Sequence, residues 1–437
     1  MVEPTCGVGA FVKAALQVFD EANIFLAFEI NASYLDVLEE DLREHPARNK
    51  VRLSRADFFL TNFQAEMEGM DRNILVLGNF PWVTNSTQGS IGGTNLPQKS
   101  NFLGHGGFEA ISGKANFDIS EWMLLDVLRW LDGKCGTIAM LVKTSVARKV
   151  MAHVEKDGRK VIDARVVHID AKRHFDASVD ACLLVIRLSP DGMPKYDYKV
   201  FSGLDDVVGR TVGHRAGLTI SNLENFESTK SLLGQSPQKW RSGIKHDASA
   251  IMEFERRGDV LVNGLGEHCA LEYDYLYPLL KGSDVGSGKP WREKYVLVTQ
   301  RRVGEETDSI AHIAPATWNY LKSHAEKLDG RGSSIYAKNP RYSIFGVGDY
   351  AFLPWRIAIC SLYKKLSFRL VSPIEGKPVM FDDTVYYISF ETEGEAKSVL
   401  SVLESKTGIE FLSSLIFWDE KRPIKTAILN SLDWRKV

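Results

Sequence analysis

Residues 3–30 read EPTCGVGAFVKAALQVFDEANIFLAFEI, and this stretch decides the fold. Gly7 and Gly9 mark a tight turn, and FVKAALQVFDEA after it carries a helical pattern. NIFLAFEI is a short apolar run, ending in Glu29-Ile30, of the kind a strand buried on both faces shows. Glycines let a backbone approach a ligand without a Cβ in the way. The helix that follows offers free amide donors in its first turn. An acid at the end of the second strand, about 20 residues on, can accept hydrogen bonds from ribose hydroxyls. The third glycine of a dinucleotide fingerprint is absent, because Val12 stands where Gly or Ala is wanted. A nicotinamide cofactor is therefore disfavoured.

The alternation continues outward. SYLDVLEEDLREH reads as a second helix. VRLSRADFF reads as a third strand ending at Asp57, where a carboxylate can meet an adenine amine. NILVLGNFPW is a strand running into a turn, and DISEWMLLDVLRWLD over 118–132 is helical. GTIAMLVK, VIDARVVHID and ACLLVIRL complete a strand-rich series. Strands alternating with helices predict an α/β unit with a mainly parallel sheet covered on both faces. The polar stretch SPDGMPKYDY predicts its end, so the domains are expected to be 1–194 and 195–437. The second is less regular. Short β-like pieces (KYVLVTQRR, TVYYISF) and helical ones (ATWNYLKSHAEKL, EAKSVLSVLESK) predict an α+β domain, with two sublobes as one arrangement.

Bulk properties set the class. The chain has 437 residues, 44% hydrophobic and 25% charged, as ordinary globular chains do. A formal net charge of −2 excludes a uniformly basic nucleic-acid coat but allows a local basic cleft. Cys6, Cys135, Cys182, Cys269 and Cys360 are odd in number and far apart, without a C-x-x-C. Free thiols are expected rather than disulfides or a metal site. No signal peptide and no 18-residue apolar run are evident, so a cytoplasmic protein without a membrane partner is expected.

Gly78-Asn79-Phe80-Pro81-Trp82 is the most informative turn. It resembles the (Asn/Asp/Ser)-Pro-Pro-(Tyr/Phe/Trp) motif of S-adenosylmethionine-dependent amino methyltransferases. Together with the Glu-Pro-x-x-Gly-x-Gly-x-Phe turn upstream, it resembles the adenine-specific DNA methyltransferases of type II restriction–modification systems. The motif order resembles the gamma arrangement of that family. NFDISEWMLL, LVKTSVARKV, WRSGIKHDASAIME and RYSIFGVGDYAFLPWRIAI look like the same group, so the resemblance covers nearly the whole chain.

The resemblance implies a Rossmann-like methyltransferase sheet followed by a C-terminal target-recognition domain. It implies S-adenosyl-L-methionine as cofactor, held by Glu3, Pro4, Thr5, Gly7, Gly9, Phe11, Glu29, Ile30, Asp57, Phe58 and Asn79. Asn79, Phe80, Pro81, Trp82 and Phe175 become the catalytic set, with Phe175 as the second stacking aromatic. The implied substrate is adenine in double-stranded DNA at a specific short site. The amine is a poor nucleophile, and two acceptors on its hydrogens would aim its lone pair. The family motif has Pro where Phe80 stands, so the turn is less rigid here.

Lys239, Arg241, Lys245, Arg301, Arg302, Lys338 and Arg341 form basic clusters suited to phosphates and base edges. Each cluster taken alone is more often a solvated face. His246, Asp247, Gly346, Gly348 and Asp349 read as structural. No metal site is expected, and a cognate restriction endonuclease is implied as a separate partner. Only Met1 and Val2 precede Glu3, so a truncated N-terminal edge is expected. The competing readings are a catalytically impaired DNA-binding or specificity module and an RNA or protein amino methyltransferase.

Overall fold

The computed structural model describes residues 1–70, 73–82 and 118–436. Asn116 and Phe117, which open the NFDISEWMLL stretch, lie outside the described residues. The chain divides into two compact units, Met1–Leu223 and Glu224–Val437.

The first unit is built on one ten-stranded sheet. Its strands are β1 (Val2–Glu3), β2 (Phe25–Glu29), β3 (Val51–Arg55), β4 (Ile74–Asn79) and β5 (Gly136–Lys143). They continue with β6 (Val161–Ile169), β7 (Ala181–Leu188), β8 (Tyr198–Phe201), β9 (Arg210–Arg215) and β10 (Leu218–Ile220). The order across the sheet is β10-β9-β8-β6-β7-β5-β4-β1-β2-β3. The block from β3 to β5 is parallel. β7 runs antiparallel to both its neighbours, β5 and β6. β6 therefore points the same way as β5, and β8 pairs parallel with β6. The carboxyl ends of β1 to β6 and of β8 share one edge.

Local sequence explains the helices. Helix Ala10–Val18 starts at Gly9, whose φ of 77° is left-handed, and buries Val12, Ala15 and Leu16 at helical spacing. Helix Ala32–Leu42 is capped by the Asn31 side chain, which accepts from the Ser33 amide, and buries Leu38 and Leu42. Helix Ile119–Trp130 is capped by Asp118, which accepts from the Ser120 amide.

The expected domain limit at 194 needs correction. Residues 198–220 form β8, β9 and β10, which extend the first sheet through β6. The polar stretch near Asp191 is a connection within the unit, not its end.

The second unit is α+β with two sheets. Its strands are β11 (Arg241–Ser242), β12 (Glu253–Arg257), β13 (Val260–Asn263), β14 (His268–Cys269) and β15 (Leu276–Leu280). Then come β16 (Lys294–Leu297), β17 (Trp355–Cys360), β18 (Arg369–Val371), β19 (Met380–Phe381) and β20 (Val385–Phe390). One sheet runs β11-β20-β17-β18 and the other β14-β13-β12-β16-β15-β19. A core of Met252, Phe254, Tyr295, Leu321 and Tyr342 lies with the larger sheet. Ala358, Val371, Phe381 and Val385 belong to a second core cluster. Helix Glu393–Leu403 packs on β17 and β20.

Candidate active site

In an open α/β sheet, ligands bind beyond the carboxyl ends of the strands where the strand order reverses. Here that point is β1–β4, because the chain moves from β1 out to β2 and β3, then returns to β4 and continues to β5. The glycine turn leaves β1 and the Asn-Phe-Pro-Trp turn leaves β4. Sequence motifs about 70 residues apart therefore flank one crevice. Thr5 Oγ1 approaches the Asn79 carbonyl at 3.5 Å, which joins the two turns directly.

The glycine turn is open on one side and tight on the other. Gly7 has a φ of 55°, and a Cβ built there would meet no atom within 4 Å. A Cβ on Gly9 would lie 2.2 Å from Leu38 Cδ1, so this glycine is needed for helix packing. Glu29 ends β2, and its two carboxylate oxygens accept from the Gly7 and Asn31 amides, both at 2.9 Å. The carboxylate is thus oriented, with lone pairs left for further donors. Ile30 beside it is exposed. Asp57 follows β3 and accepts from the Phe59 amide at 2.9 Å. Pro4 is buried, whereas Thr5 and Phe11 are half-buried.

Glu3 is 3% exposed, and its Oε2 has no hydrogen-bond partner among the described residues. Its carboxyl lies against Gly78, where a built Cβ would be 3.4 Å from Glu3 Cγ. Burial pushes its pKa up to about 9, with the nearby Glu29 adding to the rise and the Val12 backbone amide opposing it. Burial also pushes the Cys6 thiol up to about 12, followed by the Glu3 and Glu29 charges. Cys6 is a packed thiol, not a nucleophile.

At the end of β4, Asn79 pairs with Leu141 of β5, and its side chain is exposed. Phe80 turns inward and is 1% exposed, packed edge-on against Phe58 at a centroid distance of 5.5 Å. Phe58 also meets Phe63 and Trp130. The ring that replaces the family's proline thus locks the turn by burial. Phe58 is only 6% exposed, so most of its ring faces this aromatic cluster. Pro81 is exposed and Trp82 half-buried.

Phe175 closes the short helix Ala171–Phe175 that follows β6. It is 52% exposed and lies at the same sheet edge as Asn79, because β6 is parallel to β4 and β5. A core position for Phe175 is excluded.

Sequence reasoning missed Lys143 and Asp118. Lys143, the last residue of β5, donates to the Trp82 carbonyl at 3.2 Å and to Asp118 Oδ2 at 2.6 Å. A charged residue ending the apolar run GTIAMLVK was the available signal.

The seven expected DNA contacts all fall in the second unit. Arg241 lies over the Tyr350 ring at 4.9 Å, and Arg301 over Phe352 at 4.1 Å. Lys245 is 3.4 Å from Asp247, Arg302 pairs with Asp349 at 2.8 Å, and Arg341 with Asp329 at 2.6 Å. Lys239 and Lys338 are exposed. Exposed pairs contribute little, so a phosphate can exchange for the carboxylate at little cost. His246 accepts from the Ala248 amide and lies 3.5 Å from Glu253, a structural setting. Gly346, with φ 79°, packs against Gly243, where a Cβ would come within 2.3 Å of the Gly243 carbonyl.

No family model matches the chain. The type II methyltransferase M.NspV of Nostoc sp. (strain ATCC 29411 / PCC 7524) is 45% identical over 436 residues, spanning 99% of this chain and 90% of that protein. The chain belongs to the type II methyltransferases. The type IIL restriction-modification enzyme MmeI, solved in complex with DNA, matches with a TM-score of 0.55 and 12% identity. That match covers 98% of this chain and 61% of MmeI, and it supports the fold alone.

The methyltransferase cofactor is S-adenosyl-L-methionine. The residues present fit it. Gly7, at a left-handed φ of 55°, leaves open space beside the turn, and Glu29 presents an oriented carboxylate suited to ribose hydroxyls. Glu3 keeps an orphaned buried oxygen at the crevice, and such an atom calls for a polar partner. No helix among the described residues is long and apolar enough to cross a membrane, and no cluster of three or more His, Cys, Asp or Glu could hold a metal there.

Proposed function

We propose that this methyltransferase modifies the N6 amine of adenine at a specific short site in double-stranded DNA. The observation that carries the reading is the exposed Asn79 at the crevice, in a turn joined to the glycine turn by Thr5. Asn79 Oδ1 accepts one amine hydrogen and the Phe80 carbonyl accepts the other. This pyramidalises the nitrogen, aims its lone pair and offsets the positive charge that develops on it. When bound, S-adenosyl-L-methionine supplies the sulfonium methyl. Proximity and orientation are then the chain's main contribution.

The base must leave the duplex to reach this edge. Trp82 and Phe175 hold it by stacking. Trp82→Ala and Phe175→Ala should each weaken binding of the flipped base by about 1–3 kcal/mol. A duplex carrying 2-aminopurine at the target position reads this as a changed fluorescence signal. An unchanged signal in both variants would remove the stacking role.

The second unit is the target reader, through Lys239, Arg241, Lys245, Arg301, Arg302, Lys338 and Arg341 against phosphates and bases. A cognate restriction endonuclease fits as a separate partner, and the motif order fits the gamma arrangement. The test is incubation with tritiated S-adenosylmethionine and duplex DNA, then hydrolysis to nucleosides. Label in N6-methyladenine is expected. Label in cytosine, in RNA or in protein would replace the adenine reading. No label in any substrate, despite cofactor binding by calorimetry, would leave an impaired binding module.

A further inference from the structure

The turn that bears Asn79 is held from below by a side chain that belongs to neither motif. Lys143 Nζ donates to the Trp82 carbonyl at 3.2 Å. Its ammonium is anchored by Asp118 Oδ2 at 2.6 Å. Asp118 is in turn fixed: its Oδ1 accepts from the Ser120 amide at 3.1 Å and from Ser120 Oγ at 2.6 Å. The carboxylate side chain is 9% exposed, the lysine 28%. A charge-assisted bond so sheltered is stronger than a surface contact.

The next residue reaches the other aromatic. Thr144 donates to the Asp180 carbonyl through its amide, at 3.0 Å, and through Oγ1, at 3.3 Å. Asp180 closes the loop that begins at Phe175 and leads into β7. Residues 143 and 144 thus hold both segments whose rings are assigned to the flipped base. They stand at the end of β5, the strand beside β4, whose last residue is Asn79.

We propose that Lys143 is a positioning residue for methyl transfer. It fixes the Trp82 carbonyl, sets the attitude of the Asn79–Trp82 turn, and with Thr144 fixes the spacing between the two aromatic segments. Pro81 cannot donate a backbone hydrogen bond to stiffen this turn, so the lysine supplies the restraint from outside. The inference rests on the catalytic reading of the turn, but not on adenine being the base.

The test compares the wild type with Lys143→Met, Lys143→Arg and Asp118→Asn in the full-length chain. Single-turnover transfer from tritiated S-adenosylmethionine is measured on a duplex the wild type methylates, alongside cofactor and DNA affinities. Lys143→Met should slow transfer about 100-fold, the scale of a 1 Å misplacement, with both affinities within about threefold of wild type. Lys143→Arg should recover part of the rate, and Asp118→Asn should fall between. A 2-aminopurine duplex should give an altered signal with Lys143→Met at saturating protein. A Lys143→Met rate within about threefold of wild type, or a rate loss matched by equal losses of both affinities, would overturn the proposal. If Lys143→Met does not fold, Asp118→Asn carries the test, and full activity in it overturns the proposal. The base that wild-type protein labels decides the adenine reading separately, since the variant-to-wild-type ratio is read on whichever base that is.

Discussion

Asn79→Ala is expected to reduce methyl transfer by at least 10²–10³-fold, about 3–4 kcal/mol, while DNA affinity stays near the wild-type value. The side chain is exposed, so its truncation leaves no cavity. The backbone of Asn79 keeps its place, because β4 pairs with β5 along Ile74–Asn79 and the inward ring of Phe80 is fully packed. On the proposed reading, what is removed is one of two acceptors for the amine hydrogens, and the Phe80 carbonyl that remains would not by itself aim the lone pair. Asn79→Asp keeps an acceptor oxygen and should retain more activity than the alanine variant. Single-turnover labelling gives the rate, and a filter-binding titration gives the affinity. A rate within threefold of wild type for Asn79→Ala would refute its role.

The second large effect concerns stability. Glu3 carries its proton in the folded chain up to about pH 9, because burial disfavours the carboxylate. An unfolded glutamate loses its proton near pH 4.3. Below that pH both states are protonated, and Glu3 adds no pH dependence. Between there and about 9 the folded state binds the extra proton, so stability falls as pH rises. The slope approaches ~1.4 kcal/mol per pH unit, and above about 9 the loss levels off. Glu3→Gln keeps the shape and removes the titration. Its melting temperature should exceed that of wild type at pH 8, and the gap should close toward pH 5. Parallel melting curves across that range would show that Glu3 is not held neutral. Occupancy of the crevice should narrow the gap if a donor from the cofactor reaches the orphaned Oε2.

Much of the candidate site was legible in the sequence because its signals are local. The glycine turn, the acids closing β2 and β3, and the Asn-Phe-Pro-Trp turn each depend on a few neighbouring residues. Strand and helix periods then gave their order along the chain. Phe80 was legible as a departure from the family motif, but not as a buried ring, since burial depends on Phe58 reaching it from the turn after β3. The contacts of Lys143 were invisible in the sequence, because its partners lie 61 and 25 residues away.

The sequence by itself determined an α/β methyltransferase unit and marked the glycine turn and the Asn-Phe-Pro-Trp turn as its candidate cofactor and catalytic turns. These follow from periodicity, glycine conformations and short motifs that act within one turn of chain. Tertiary structure alone decided that the first unit runs to Leu223, since β8 to β10 join it by pairing through β6. It also decided that Glu3 is buried beside Gly78 and that Lys143 braces Trp82. Strand pairing, desolvation and side-chain anchoring between distant segments depend on which surfaces meet, and that is fixed only when the sheet closes up.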